Sequence, residues 1–253
     1  MKMHLLSGGR LKMRKSIFIP DADRAEIIEL PVMSALLRHA RGNVLFDTGC
    51  HPDVATDGAG RWGALAKIMN PTMTADDNVL AGLASLGLKP ADIDVVVNSH
   101  LHTDHCGCNA FFPKATFVAH ALELEAARTA SGETTGYIAS DWNPTKGWDE
   151  VTSERDLFGD GRIVLIHTPG HTPGSIGGLV QLDRSGRFLL AGDTVSLMET
   201  LEREMIPRNT WNGEALARSQ QEVRRIAASG VAVIASHDAA QWTTLRKGAD
   251  AYE

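Results

Sequence analysis

The chain has 253 residues, 43% of them hydrophobic, with 25 basic against 31 acidic side chains and a net charge of −6. That length and apolar content suit one large α/β domain over residues 1–253. The absence of a basic block argues against nucleic acid as a partner, no apolar run is long enough to cross a membrane, and the start is too short for a signal peptide, so a cytoplasmic protein is expected. Three cysteines, an odd number, argue against a disulfide framework.

In chain order, residues 3–19 read as two strands around Ser7-Gly8-Gly9, and residues 32–47 as a hairpin turning at Arg41-Gly42-Asn43. Residues 50–74 show no regular pattern. Residues 75–87 suit a helix, with Val79, Leu80, Leu83 and Leu86 on one face and Gly87 as its stop. A buried strand at 94–97 follows, then a strand at 115–119 and a helix at 120–129. Residues 130–160 are again irregular, and loops of that length in a compact domain are often lids or binding loops. Residues 163–166 form a short apolar run, and residues 175–182 and 187–192 a hairpin around Arg184-Ser185-Gly186. Residues 196–212 lack clear periodicity; 213–228 is a helix, 231–235 the final strand and 238–247 a last helix. Strands first, then helix and strand in each half, fit a four-layer αββα sandwich.

The densest chemistry lies just past the strand at 94–97. Residues 98–109 read Asn-Ser-His-Leu-His-Thr-Asp-His-Cys-Gly-Cys-Asn and contain His100, His102, Asp104 and His105. Three imidazoles and a carboxylate are ligands that borderline-soft divalent metals prefer. On an extended segment leaving a strand, His100 and His102 project to the same side. Asp104 and His105 are adjacent, so they point differently. The pattern reads as two pairs serving two neighbouring metals, and each needs further ligands from elsewhere.

Other strand ends offer them. The run at 163–166 leads into His167 and His171, the run at 188–191 into Asp193, and the run at 231–235 into His237. His171 is taken as the ligand, with His167 behind it. A carboxylate such as Asp193 can bridge two metals through its two oxygens. His4, His39, His51 and His120 are isolated and read as ordinary surface or core histidines. Cys106 and Cys108 are spaced Cys-x-Cys with no second pair, so packing is expected of them. Gly-x-Ser-x-Gly does not occur, so no serine nucleophile elbow is indicated.

The His-x-His-x-Asp-His pattern at His100–His105, followed in order by His171, Asp193 and His237, resembles the metallo-β-lactamase superfamily. Leu45-Phe46-Asp47-Thr48-Gly49 resembles its early strand ending in Asp-Thr-Gly. Ser99-His100-Leu101-His102 and Ser236-His237-Asp238 look most like its N-acyl-homoserine lactonase branch, whose relatives include γ-butyrolactone and pyridoxolactone hydrolases. The resemblance implies one metal on His100, His102 and His171, a second on Asp104, His105 and His237, and Asp193 bridging both. It implies a lactone-opening hydrolase in which a metal-bridging hydroxide attacks the ester carbonyl and Asp104 or a water carries the proton to the leaving oxygen. Two Zn2+ ions are expected, and imidazole-rich sites also tolerate manganese, cobalt or iron. His102 stands where the superfamily's iron reductases carry a carboxylate, which by resemblance argues for hydrolysis over redox chemistry. Ser196 stands where lactonases of this branch carry a Tyr, which leaves Tyr137 or a water for that contact, or a substrate other than an acyl-homoserine lactone.

Met33, Trp62, Met69, Tyr137 and Ser196 are the candidate substrate-binding residues, the aromatics and methionines as an apolar pocket wall beside the metals. The rival functions are a thioester hydrolase of the glyoxalase II kind, which uses the same ligands, and a hydrolase of another small lactone or ester. A homodimer is the one protein partner considered.

Overall fold

The computed structural model describes residues 1–130, 134–143 and 147–253. Strand β1 (Lys2–Arg14) pairs antiparallel with β2 (Ile27–His39), and β2 with β3 (Gly42–Phe46). Sequence reading expected two strands around Ser7-Gly8-Gly9. The structure has one strand there, and its register shifts between Ser7 and Gly9. The glycine serves close packing instead of a turn. A Cβ on Gly8 would lie 2.8 Å from the Cα of Gly49. The Cys50 N–H donates to the Gly8 carbonyl at 2.7 Å. The loop leaving β3 therefore rests directly on the bulge, which is a common way for a strand to bend beside a site.

Segment 50–74 is more regular than its sequence suggests. It folds as α1 (Val54–Trp62), a 3-10 turn over Gly63–Lys67, and β4 (Asn70–Pro71), which pairs with β1. Only Val54 and Trp62 of α1 are buried, and Asp57 is non-helical, so the segment carries little helical periodicity. Helix α2 (Val79–Ser85) starts later than expected because Asn78 caps it, accepting from the N–H groups of Leu80 and Ala81. Strand β5 (Val95–Val97) leads to α3 (Thr103–Cys106), then β6 (Thr116–His120) and α4 (Ala121–Thr129), which His120 caps.

Residues 131–133 and 144–146, within the segment expected to be irregular, lie outside the described residues. Around them are α5 (Ala139–Trp142), β7 (Trp148–Val151) and β8 (Arg155–Asp156). Strand β7 holds adjacent acidic residues and no alternation, and becomes a strand by pairing parallel with the edge of β6. The chain continues through β9 (Ile163–His167), β10 (Ile176–Leu182), β11 (Gly186–Leu190), α6 (Met198–Glu202), α7 (Gly213–Ala228), β12 (Ala232–Ile234) and α8 (Ala239–Thr244). Helix α7 has the boundaries its periodicity predicts. Helix α6 lies in a segment read as aperiodic.

The strands form a seven-stranded sheet, β4-β1-β2-β3-β5-β6-β7, and a five-stranded sheet, β12-β11-β10-β9-β8. Between them sits a core in which Met3, Leu5, Phe46, Val97 and Val118 of the first sheet meet Leu165, Ile176, Val180, Leu190 and Ile234 of the second. The outer face of the first sheet, with Leu36, Leu45 and Val96, packs on Val79 and Leu83 of α2. The outer face of the second, with Leu189 and Val233, packs on Val223 and Ile226 of α7. Strand β5 packs both faces, Val97 on the inner core and Val96 on the outer one, which is why it reads as a continuous apolar run. The result is the αββα order of layers expected from the sequence. Among the described residues, no helix is long and apolar enough to cross a membrane.

Candidate metal centre

The site is assembled from loops at the ends of β5, β9, β11 and β12. After β5 the chain bends at Ser99 and His100, is extended at His102 (φ −69°, ψ 148°) and then turns into α3. This stretch brings His100 and His102 together, with His100 Nε2 3.1 Å from His102 Nδ1. The turn of α3 carries Asp104 and His105 to a second point beside the first. His171, in the loop after β9, brings its Nε2 to 3.0 Å from His102 Nδ1. His237, just past β12, lies with Nε2 3.3 Å from His105 Nε2 and 3.6 Å from Asp104 Oδ2.

Asp193 stands between the two groups. Its Oδ2 is 3.5 Å from His171 Nε2, and its Oδ1 is 3.3 Å from His105 Nε2 and 3.1 Å from His237 Nε2. Each oxygen thus faces a different set. Among the described residues, three overlapping clusters could hold a cation, namely His100, His102 and His171; His100, His105 and Asp193; and Asp104, His105 and His237.

The outer edges of three of the five rings are tied down, which fixes their inner nitrogens. His105 Nδ1 is 2.9 Å from Asp47 Oδ2, His237 Nδ1 is 2.9 Å from the Pro31 carbonyl, and His100 Nδ1 is 3.1 Å from Ser99 Oγ. Asp47 also accepts from the Ser99 N–H at 2.6 Å and the Ser99 hydroxyl at 2.7 Å. It adopts a positive φ of 58°, uncommon for a residue with a side chain, to reach all three donors. Ser236 donates to Asp193 Oδ1 at 2.5 Å. Partners of this kind orient ligands and raise their basicity. In the sequence, Asp47 stands out only through the resemblance of its Asp-Thr-Gly segment, which implies no part for it in the site. The signal available was a carboxylate directly after a buried strand.

The two sets differ electrically. Burial, reinforced by His105, His102 and His171, pushes His100 well below the usual imidazole value. Burial and His171 do the same to His102, and burial lowers His171 against the pull of Asp193. Burial also acts on His105, but Asp104, Asp193 and Asp47 outweigh it and hold that imidazole well above its usual value. His237 is raised for the same reason, burial being outweighed by Asp193 and Asp104. Burial would raise Asp193, yet His237, His105 and His171 hold it well below the carboxylate range. Neutral imidazoles with converging lone pairs, beside a carboxylate-rich partner set, form a donor set that fits divalent cations.

A cavity of about 900 Å³ opens against this centre, with His102 and His171 in its wall. Met69 lines it together with Met13, Ile17, Leu65 and Ile68, and α4 and Trp211 close other sides. Tyr137 also lines it, but its hydroxyl donates to Glu123 Oε1 at 2.9 Å, so the phenol oxygen is engaged away from the cations' position. Three expected pocket residues are elsewhere. Met33 is 1% exposed and fills the core between the sheets, because its strand face is the inner one. Trp62 is buried in the cluster beneath the wall, with Leu65 and Met69. Ser196 is buried behind Asp193, its hydroxyl 3.5 Å from the Asp193 carbonyl, and does not line the cavity. The three cysteines are free and buried, and the Cys108 thiol donates to the Cys50 carbonyl at 3.1 Å.

A family model described as the metallo-beta-lactamase superfamily matches residues 27–237. The chain belongs to the metallo-beta-lactamase superfamily. Within it, the N-acyl homoserine lactonase AttM of Azorhizobium caulinodans is 32% identical over 100% of this chain and 98% of its own length. The N-acyl homoserine lactonase AiiB of Agrobacterium fabrum is 31% identical over 99% of this chain and 98% of its own. A solved N-acyl homoserine lactone hydrolase, with N-hexanoyl-L-homoserine at its catalytic metal center, superposes with a TM-score of 0.89 at 23% identity, covering 99% and 98% of the two chains. AidC, a dizinc quorum-quenching lactonase, superposes at 0.69 with 17% identity, covering 94% of this chain and 87% of its own. At these identities the structural matches establish the superfamily fold.

Proposed function

We propose that the protein is a metal-dependent hydrolase that opens a lactone ring, with N-acyl-homoserine lactones the first class to test. The observation that carries this reading is the division of Asp193, one oxygen facing His171 and the other facing His105 and His237. The full-length similarity to proteins named N-acyl homoserine lactonase supports the choice of substrate. One cation is assigned to His100, His102 and His171, and a second to Asp104, His105 and His237, with Asp193 shared. Zinc is the metal that the donor set suits first. Bound there, the cations supply an activated water and a Lewis acid for the ester carbonyl.

The protein's own groups then have distinct tasks. Asp193, held by the Ser236 hydroxyl, keeps the two sets at a constant separation. Asp47 keeps His105 oriented through its outer nitrogen. Asp104, with Oδ2 3.7 Å from His105 Nε2 and 3.6 Å from His237 Nε2, is the carboxylate placed to hold the proton that the leaving alkoxide takes up. Opening the ring breaks the carbonyl carbon–oxygen ester bond, adds one water, and yields a hydroxy acid. The apolar wall around Met69 binds the acyl part and excludes water from it.

The test is proton release from a panel of acyl-homoserine lactones, simple γ-lactones and thioesters, with zinc, manganese and cobalt supplied in turn. Lactone turnover that follows metal content supports the reading. Thioester turnover that exceeds lactone turnover would move the assignment to the glyoxalase II kind. Among the described residues Arg208 is the cation on the cavity wall, and it donates to the carbonyls of Ser16 and Pro20.

A further inference from the structure

Glu123 is a carboxylate that the chemistry above does not use. It lies in the first turn of α4 and is 0% exposed. Burying an ionisable group is costly unless hydrogen bonds replace its water. Here they come from separate segments. Oε1 accepts from the Leu101 N–H at 2.9 Å and from the Tyr137 hydroxyl at 2.9 Å, and Oε2 accepts from the Gly174 N–H at 3.1 Å.

Those donors have one thing in common. Leu101 is the residue between His100 and His102. Gly174 belongs to the same loop as His171, and that loop lies so close to α4 that a Cβ on Gly174 would come within 2.2 Å of the Glu123 nitrogen. Tyr137 sets its ring edgewise on His102, with centroids 4.8 Å apart. One side chain thus ties the loop after β5 to the loop after β9, where His102 Nδ1 and His171 Nε2 stand 3.0 Å apart. None of these bonds reaches Asp104, His105 or His237. The outer partners of His105 and His237 are Asp47 and Pro31.

We infer that Glu123 is a positioning residue for one cation alone, the one assigned to His100, His102 and His171. It acts by holding two ligand loops in register and does not touch the reacting atoms. The inference rests on the two-cation reading above. Removing an outer partner of a metal site typically costs about 10- to 100-fold in affinity. Loss of Glu123 should therefore weaken the site on His100, His102 and His171 and leave the other as it is.

The experiment is equilibrium titration of the metal-free protein with Zn2+ and Co2+ against a competing chelator, with the cobalt absorption bands recorded. Wild type should take up two equivalents. Glu123→Ala should keep one at wild-type affinity and weaken the other by about 10- to 100-fold. Glu123→Gln retains one acceptor and should weaken the same equivalent less. Tyr137→Phe, which removes a single donor and leaves the carboxylate, should weaken it least, and it decides the matter should the Glu123 variants fail to fold. In a His171→Ala background, Glu123→Gln should leave the remaining equivalent unchanged, because both substitutions act on one site. Equal weakening of both equivalents, or weakening of neither, overturns the inference. Wild type taking up fewer than two equivalents overturns the two-cation reading itself, and this inference with it.

Discussion

The two halves of the candidate metal centre differ both in residue types and in surroundings. His100, His102 and His171 form an all-imidazole set that burial keeps uncharged, and two of its members border the cavity. Asp104, His105 and His237 form a mixed set, with Asp47 behind His105 and imidazoles held above their usual value. The imidazole set carries no charge of its own to balance a cation beyond its share of Asp193, so its affinity depends on geometry. The mixed set would hold a cation by charge as well. Under the proposed function, this difference would give substrate contact to the first set and proton handling to the second.

The largest effect should come from the group the two sets share. Asp193→Ala is expected to strip both cations and to lower kcat/KM by about a thousandfold or more, roughly 4 kcal/mol of transition-state stabilisation. Metal analysis alongside kinetics checks this, and a variant with two cations and ordinary turnover would break the comparison at its root.

Asp47→Ala tests whether the mixed set stands alone. It should weaken the equivalent on Asp104, His105 and His237 by about 10- to 100-fold through misorientation of His105, and the other to a smaller extent through Ser99, which Asp47 holds beside His100. Combined with the Glu123 variants, it should leave a protein with two weak sites. Two substitutions whose larger effect falls on the same equivalent would show that the sets are not separately supported.

A smaller effect is expected on the cavity side. Met69→Ala removes apolar surface from the wall and should raise KM for a long-chain lactone about three- to tenfold, on the order of 1 kcal/mol. Metal content and turnover of a short lactone should stay at wild-type levels. Equal effects on long and short substrates would take Met69 off the acyl path.

The smallest effect belongs to Ser196. Its hydroxyl makes one long bond, 3.5 Å, to the Asp193 carbonyl, and a neutral bond contributes about 1 kcal/mol at most in such a place. Ser196→Ala should keep turnover within about threefold, measured on the best lactone of the panel. A thousandfold loss would give Ser196 a part in the chemistry.

The candidate ligands stood out in the sequence because each follows a short apolar run that reads as a buried strand. His100, His171, Asp193 and His237 all stand within five residues of such a run. Helix α7 was legible in full because its 16 residues repeat an apolar face with Asn212 as cap. Strand β7 and helix α1 were not. Trp148–Val151 pairs only because β6 presents an open edge, and Val54–Trp62 is helical over a stretch interrupted by Gly58, Gly60 and a non-helical Asp57.

By itself, the amino-acid order settled the layer architecture and the kinds of atoms available at the strand ends, since local periodicity carries both. Which methionine or tryptophan faces the cavity, and which buried carboxylate backs which histidine, was decided only in three dimensions. Met33 and Met69 look alike in sequence, yet the inner face of β2 claims one and the cavity wall the other. Asp47 meets His105, and Glu123 meets Leu101 and Gly174, across separations of 22 to 58 residues. No local pattern encodes such contacts, because they exist only once the sheets have brought the loops together.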